Sequence, residues 1–149
     1  MQLAEFIKSE AVFFGFEHNE KQAILAQMIA ACCEAEGIVC HDDVRTAVLE
    51  READRSTGIG RGLAVPHCRC DTVVDFHISV AVLQEGIDWD ALDERPVQFI
   101  FLVIGPVDKP ETYLQLLSQI SRLIRLPDAT KRLLAATTPA HVLDVIHEL

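Results

Sequence analysis

The chain has 149 residues, half of them hydrophobic, with 23 acidic against 13 basic side chains and a formal net charge of −10. This length favours one domain that buries roughly 70% of its extended-chain surface, and the apolar content excludes disorder. The acidic balance excludes a nucleic-acid surface, whose phosphates need basic side chains; it suits a basic protein partner or simple solubility.

The N-terminus, MQLAEFIKSEA, has no basic segment followed by an apolar one, so no secretory signal is expected. A first long helix is expected from Asn19, whose side chain can cap the free amides while Gln22 reaches back. Ala23, Ile24, Met28 and Ala31 then recur at helical spacing, and Gly37 ends the helix. Asp42 can cap a second helix with Val44, Ala47, Val48 and Arg51 along one side. The TGIGRG segment reads as loop, and residues 63–65 as a short strand. Residues 76–83 (FHISVAVL) read as a strand rich in β-branched side chains, and residues 86–89 as a turn held by Trp89. Residues 97–104 (VQFIFLVI) read as a central strand covered on both faces, stopped by Gly105-Pro106. This run is far short of the ~20 apolar residues of a membrane span, so no membrane insertion is expected. Residues 111–126 read as a helix with Leu114, Leu117, Ile120, Leu123 and Ile124 inward. Pro127 ends it and Asp128 can cap the next helix, while Thr138-Pro139 opens the last one. Helices and strands interleave, so the expected fold class is α/β: one domain, a sheet with helices packed on it.

The most informative segment is TGIGRGLAVPH, residues 57–67. Gly58, Gly60 and Gly62 are spaced G-x-G-x-G. A dinucleotide fingerprint needs a glycine where Leu63 stands, and no Lys-Ser or Lys-Thr follows as in a P-loop, so nucleotide binding is disfavoured. What remains is either a plain tight turn or a loop whose amides face an anion. Pro66 fixes its own φ and extends Val65, delivering His67 on a constrained backbone. An imidazole is a ready nucleophile near neutral pH. Arg51 lies sixteen residues earlier, and Ser56, Thr57 and the Gly58 amide lie nearby. An arginine, two hydroxyls and loop amides beside a histidine are the parts that hold a phosphoryl group, whose transfer needs mainly positioning and charge neutralisation.

His67, Cys68 and Cys70 contain zinc-ligand types at a spacing that matches no common site, so no metal is expected. Arg69 beside both thiols would lower their pKa and make Cys68 open to oxidation. The five cysteines have no framework spacing, which favours reduced thiols in the cytoplasm. His18, His41, His77, His141 and His147 carry no motif.

The pattern RE-x-x-x-STGIG-x-G-x-A-x-PH, residues 51–67, resembles the fructose/mannitol/nitrogen class of enzyme IIA of the bacterial phosphotransferase system (PTS). Residues 86–106, GIDWDALDERPVQFIFLVIGP, are similar to that family's GIDF-x-A-x-D-x-x-PV stretch and following strand. The resemblance covers nearly the whole chain, as one type-2 EIIA-like domain over residues 1–149. It implies a mixed sheet of parallel and antiparallel strands flanked by helices on both faces. It also implies a phosphoryl acceptor at His67, charge neutralisation by Arg51, and neither metal nor nucleotide cofactor. The implied donor is a histidine of the phosphocarrier HPr or of its nitrogen-branch counterpart.

STGIG and the single-domain length look most like the nitrogen-regulatory branch, which signals through regulatory proteins. A sugar-transport IIA, passing the phosphoryl group to a cysteine of a IIB domain, and a binding module independent of phosphorylation are the alternatives. Two departures stand out. Tyr113 occupies the place of the family's second histidine, and its hydroxyl can still donate a hydrogen bond to a phosphoryl oxygen. Cys68 follows His67 where the family commonly has glycine, a side chain that crowds a partner's approach.

Overall fold

The computed structural model describes residues 2–148. After a 3-10 turn at Leu3–Phe6 the strands are β1 (Ile7–Phe13), β2 (Gly58–Gly60), β3 (Leu63–Ala64), β4 (His67–Arg69), β5 (His77–Ile87) and β6 (Val97–Gly105). The helices are α1 (Lys21–Glu36), α2 (His41–Asp54), α3 (Pro110–Leu123), α4 (Ala129–Ala135) and α5 (Pro139–His147).

β6 is the axis of the sheet. Every residue in it except Gln98 is buried, as its nearly unbroken apolar sequence demands. It pairs antiparallel with β5 along one edge, and β5 pairs parallel with β1. Along its other edge β6 pairs parallel with β3 and then with β4, and β3 carries β2 antiparallel beyond it. The sheet is therefore mixed, with the order β1-β5-β6-β3-β2 and β4 also on β6.

Strand alternation divides the core into two layers. Phe99, Phe101 and Val103 pack with Ile78, Val80 and Val82 under the 3-10 turn, α3, α4 and α5. Ile100, Leu102 and Ile104 pack with Ala64, Ala81 and Leu83 under α1 and α2. Each fully buried Ile or Phe side chain contributes about 1.5–3 kcal/mol relative to exposure. The expected class, a mixed sheet with helices on both faces, is the observed one.

Several local expectations fail, each for a visible reason. α1 begins at Lys21 with Glu20 at its cap and no side-chain cap bond, so the Asn19–Gln22 box does not form. Lys21 instead turns inward to Trp89 and Glu52. Gly37 does end α1, at φ 67°. α2 begins at His41 with Cys40 at its cap, leaving Asp42 in the first turn beside the helix dipole. Asp128 precedes α4 with φ 65° and makes no side-chain cap bond, whereas Thr138 does cap α5 by accepting from the His141 amide at 3.3 Å.

The TGIGRG segment is not loose loop but a hairpin of β2 and β3. β5 runs on through Gly86 and Ile87 into the expected turn. α3 buries Tyr113, Leu116, Ile120 and Leu123, whereas Leu114 is 66% exposed. The expected stripe holds at Ile120, Leu123 and Ile124, with Leu117 packed against the core, and departs only in the first turns, where Tyr113 and Leu116 are buried and Tyr113 stacks on Phe76 (centroids 6.3 Å apart). β1 gave no periodic signal: its centre, Lys8-Ser9-Glu10, is exposed, and its register against β5 shifts between Ile7 and Val12.

Candidate functional site

β3 and β4 run one after the other along the same side of β6, broken only at Val65-Pro66. Leu63 and Ala64 align with Phe99 and Ile100, and His67, Cys68 and Arg69 align with Val103, Ile104 and Gly105. A proline is tolerated at the break because the ladder asks only for its carbonyl, which accepts from the Val103 amide at 3.0 Å. Val65 packs in the layer beneath α3. The alternation then turns His67 towards α3, where its ring meets Tyr113 edge-on with centroids 5.6 Å apart.

His67 is half-buried, and its Nδ1 lies 2.6 Å from the Val65 carbonyl. A carbonyl only accepts, so Nδ1 carries the proton, and in the neutral ring the lone pair lies on Nε2. Burial lowers the pKa of His67 below its ordinary value. Arg51 and Arg69 push in the same direction, while the Val65 hydrogen bond and Glu52 oppose them. The ring is therefore neutral at pH 7, a nucleophile with a fixed tautomer.

An open cavity of about 670 Å³ lies over this ring, lined by Arg51, Arg69, Tyr113, Glu50 and Asp54 among others. Arg51 sits in the last turn of α2, and its Nη1 donates to the Arg55 carbonyl at 2.8 Å, which leaves the rest of the fork free. The Arg69 guanidinium lies 5.5 Å from the Tyr113 ring centre. Tyr113 is only 7% exposed, and burial pushes its phenol up, so it remains a neutral donor. The structure thus brings His67, Arg51 and Tyr113 together and adds Arg69, which the sequence reading had assigned only to the neighbouring thiols.

Ser56, Thr57 and Gly58 line up differently. A second cavity, also bordered by Arg51 and His67, includes Ser56 and Thr57. Their polar atoms are spent within the fold. Ser56 Oγ donates to the Trp89 carbonyl at 2.8 Å and accepts from the Gly58 amide at 3.1 Å. Thr57 is buried, donating its amide to Glu52 at 2.8 Å and its hydroxyl to the other carboxylate oxygen. A Cβ on Gly58 would lie 2.8 Å from the Ala91 Cβ, so this glycine answers to close packing. At this position the glycine lies in β2, and its amide is taken up by Ser56 Oγ.

The residue that sequence reasoning missed beneath the hairpin is Glu52. It is 4% exposed, holds Thr57 twice and pairs with Lys21 at 3.0 Å. The available signal was its place beside Arg51 just before the STG run.

The expectation of an activated Cys68 fails. The residue is 4% exposed, and burial pushes its thiol up to about 12. Desolvation outweighs the adjacent guanidinium. All five cysteines are free, and among the described residues no group of three or more His, Cys, Asp or Glu could hold a metal ion. No helix among them is long and apolar enough to cross a membrane.

A family profile described as phosphoenolpyruvate-dependent sugar phosphotransferase system, EIIA 2, matches residues 5–149. The chain is 33% identical over 129 residues to the fructose-specific EIIA component of Haloferax volcanii, covering 87% of this chain and 84% of that protein. It is 27% identical to the nitrogen regulatory protein of Bradyrhizobium diazoefficiens, covering 98% and 95%. It is also 27% identical to the fructose-specific EIIABC component of Bacillus subtilis over 99% of this chain, but spans only 23% of that longer protein. Among solved structures, the nitrogen regulatory protein IIA-Ntr from Neisseria meningitidis superposes with a TM-score of 0.89 at 24% identity, covering 97% of this chain and 98% of that one, a likeness of fold.

Proposed function

The chain belongs to the type 2 EIIA family of the phosphoenolpyruvate-dependent sugar phosphotransferase system, and from that premise we propose that it is a cytoplasmic phosphohistidine carrier with Nε2 of His67 as the acceptor. The observation that carries this reading is the 2.6 Å contact between His67 Nδ1 and the Val65 carbonyl, beside a cavity lined by Arg51 and Arg69.

The transfer follows from that geometry. The Nε2 lone pair forms a bond to phosphorus as the bond from phosphorus to the donor's histidine nitrogen breaks. The departing imidazole keeps that electron pair. The His67 ring gains positive charge, and its Nδ1–H donates more strongly to Val65. The transferring group spreads negative charge over its equatorial oxygens, which Arg51 and Arg69 neutralise. Tyr113 closes the far side of the ring and offers a neutral hydroxyl donor. Ser56, Thr57 and Gly58 act one step back, holding the hairpin that aims His67. The donor in this reading is a histidine of HPr or of a nitrogen-branch phosphocarrier.

The carrier has two readings downstream. In the first, of the nitrogen-regulatory type, the two-charge change at His67 alters which regulatory proteins bind. It is supported by a relative of that kind matched nearly end to end. In the second, the group passes to a cysteine of a IIB domain for uptake of a fructose- or mannitol-type sugar. It is supported by the 33% identity to a fructose EIIA component.

The test is intact mass after incubation with phosphoenolpyruvate, enzyme I and HPr, with His67→Ala in parallel. One acid-labile phosphoryl group on the wild type alone supports the carrier; none on either, with an active donor chain, overturns it and leaves a binding module. Adding a IIB domain then separates the readings. Rapid loss of the label to its cysteine selects the sugar pathway, and retention of the label selects the regulatory one.

A further inference from the structure

A third cavity, of about 610 Å³, lies at the opposite end of β6 and α3 from His67. It is lined by Arg61, Arg95, Gln98 and Thr130 over an apolar floor that includes Phe99 and Leu134. Its volume falls within the range of small-molecule sites. No Asp or Glu is among its lining residues, although the chain carries a net charge of −10.

The two arginines are positioned by one carboxylate. Asp93 accepts the Arg61 amide at 2.9 Å and the Arg95 amide at 3.1 Å and so fixes both backbones; it also feels the Arg95 charge, without a direct ion pair. Among the described residues neither guanidinium makes a hydrogen bond or ion pair with a carboxylate.

The backbone here is also unusual. Arg61 has φ 57° between two glycines at φ 103° and 81°, and Glu94, just before Arg95, has φ 61°. A glycine would take either position without the steric cost that a Cβ imposes. The sequence instead keeps an arginine at the tip of the hairpin, and strain retained at a polar cavity points to use. The corner is tight as well, because a Cβ on Gly86 would lie 2.4 Å from the Pro96 Cβ.

We infer that the Arg61–Arg95 cavity binds a small organic dianion, a phosphate monoester or a short dicarboxylate, with its carbon body on the apolar floor. Two guanidinium forks match two anionic oxygens pairwise; Thr130 supplies a neutral partner, and Gln98, whose Nε2 already donates to the Gln84 carbonyl at 3.1 Å, has one N–H left to offer. This site is separate from the His67 cavity and does not rest on the phosphocarrier reading. It is placed to communicate with that cavity. Gly62 leads directly into β3, and the same edge reaches His67 four residues after Leu63. Ile124, in the lining, caps the helix whose first turn carries Tyr113.

The experiment is a 15N-resolved NMR titration of the full chain with three probes: glycerol 3-phosphate, succinate and inorganic phosphate. The expected result is saturable shifts of the Gly62, Gly86 and Gln98 amides, with an organic probe binding more tightly than inorganic phosphate. Arg61→Gln with Arg95→Gln should weaken that binding about tenfold or more. Arg61→Gly with Arg95→Gln removes both charges while relieving the left-handed strain, and should lose binding without losing fold. Shifts that never saturate, that centre on the His67 cavity, or that survive in either double variant would overturn the site. Equal binding of inorganic phosphate would show that the apolar floor plays no part and would refute the organic ligand class.

Discussion

Replacing Glu52 by glutamine removes one charge and almost no volume, so it isolates the electrostatics under the glycine hairpin. The carboxylate accepts from the Thr57 amide at 2.8 Å, from the Thr57 hydroxyl and from Lys21 Nζ at 3.0 Å. All three partners are donors. A glutamine can keep its oxygen on the Thr57 amide and Lys21, with its NH2 group on Thr57 Oγ1, which then turns to accept; every contact survives only as a weaker bond to a neutral group. Breaking a wholly buried pair costs about 3–5 kcal/mol, but the Lys21 side chain is 17% exposed and can turn to water. The loss reduces to weakened charge-assisted bonds at Thr57, about 2 kcal/mol in all. For a chain of this length that lowers Tm by roughly 4–8 °C. Urea unfolding of Glu52→Gln, Lys21→Met and the double variant measures both the loss and its origin. The singles should be non-additive by about 1 kcal/mol, since Lys21→Met strands a buried Glu52 carboxylate that Glu52→Gln has already neutralised. Phosphorylation of His67, followed by mass well below every midpoint, should slow in Glu52→Gln because Thr57 opens the hairpin that leads to His67. A loss under about 0.5 kcal/mol, or strictly additive singles, would refute the network as described.

Arg69→Gln removes one guanidinium from the His67 cavity and should slow phosphoryl acceptance roughly tenfold, the low end of a charge-assisted bond given its exposure; quench-flow with the phosphorylated donor reads this, and an unchanged rate would remove Arg69 from the mechanism. The acid limb of that rate should fall below pH 6.5, because burial lowers the His67 pKa and keeps the ring neutral. The linked stability has a definite sign: the unfolded chain binds this proton at higher pH than the folded one, so stability is present above about 6.5 and declines as pH falls towards the folded pKa. NMR titration of the ring checks both, and a midpoint at or above 6.5 contradicts the desolvation argument. Gly58→Ala forces a Cβ to 2.8 Å from Ala91 Cβ and 3.2 Å from Trp89; the expected cost is about 1–3 kcal/mol of overpacking, with slower phosphorylation, and a variant as stable as wild type would show that the β2–β3 hairpin shifts freely.

The parts of the fold that the sequence announces are those where one local pattern decides. Val97–Gly105 is buried on both faces and is apolar except at Gln98, so its role follows from composition. Thr138-Pro139 names its own helix start. The parts that stay hidden are decided by distant contacts. Lys21 reads as a solvated helix residue until Trp89, 68 positions away, offers its carbonyl. The phase of the first turns of α3 is ambiguous among Tyr113, Leu114, Leu116 and Leu117, and distant core contacts, Tyr113 on Phe76 among them, decide it. β1 is masked because three central residues face outward.

The site divides in the same way. His67 and Arg51 are legible because proline, glycines and a helix end constrain them within a short span. Ser56 and Thr57 are misleading because hydroxyl chemistry is ambiguous: the same group that would bind a phosphoryl oxygen also satisfies a buried carboxylate or carbonyl. Their observed partners favour the second role, since a Thr57 hydroxyl drawn away from Glu52 would leave a buried anion short of a donor. Arg69 is the reverse case. Beside two cysteines it reads as a modifier of thiols, yet Cys68 points into the α1–α2 layer while Arg69, its neighbour, turns to the open side over Tyr113. Strand alternation separates the two side chains. It also places on the histidine's side of the sheet edge the one additional cation that the cavity holds beside Arg51.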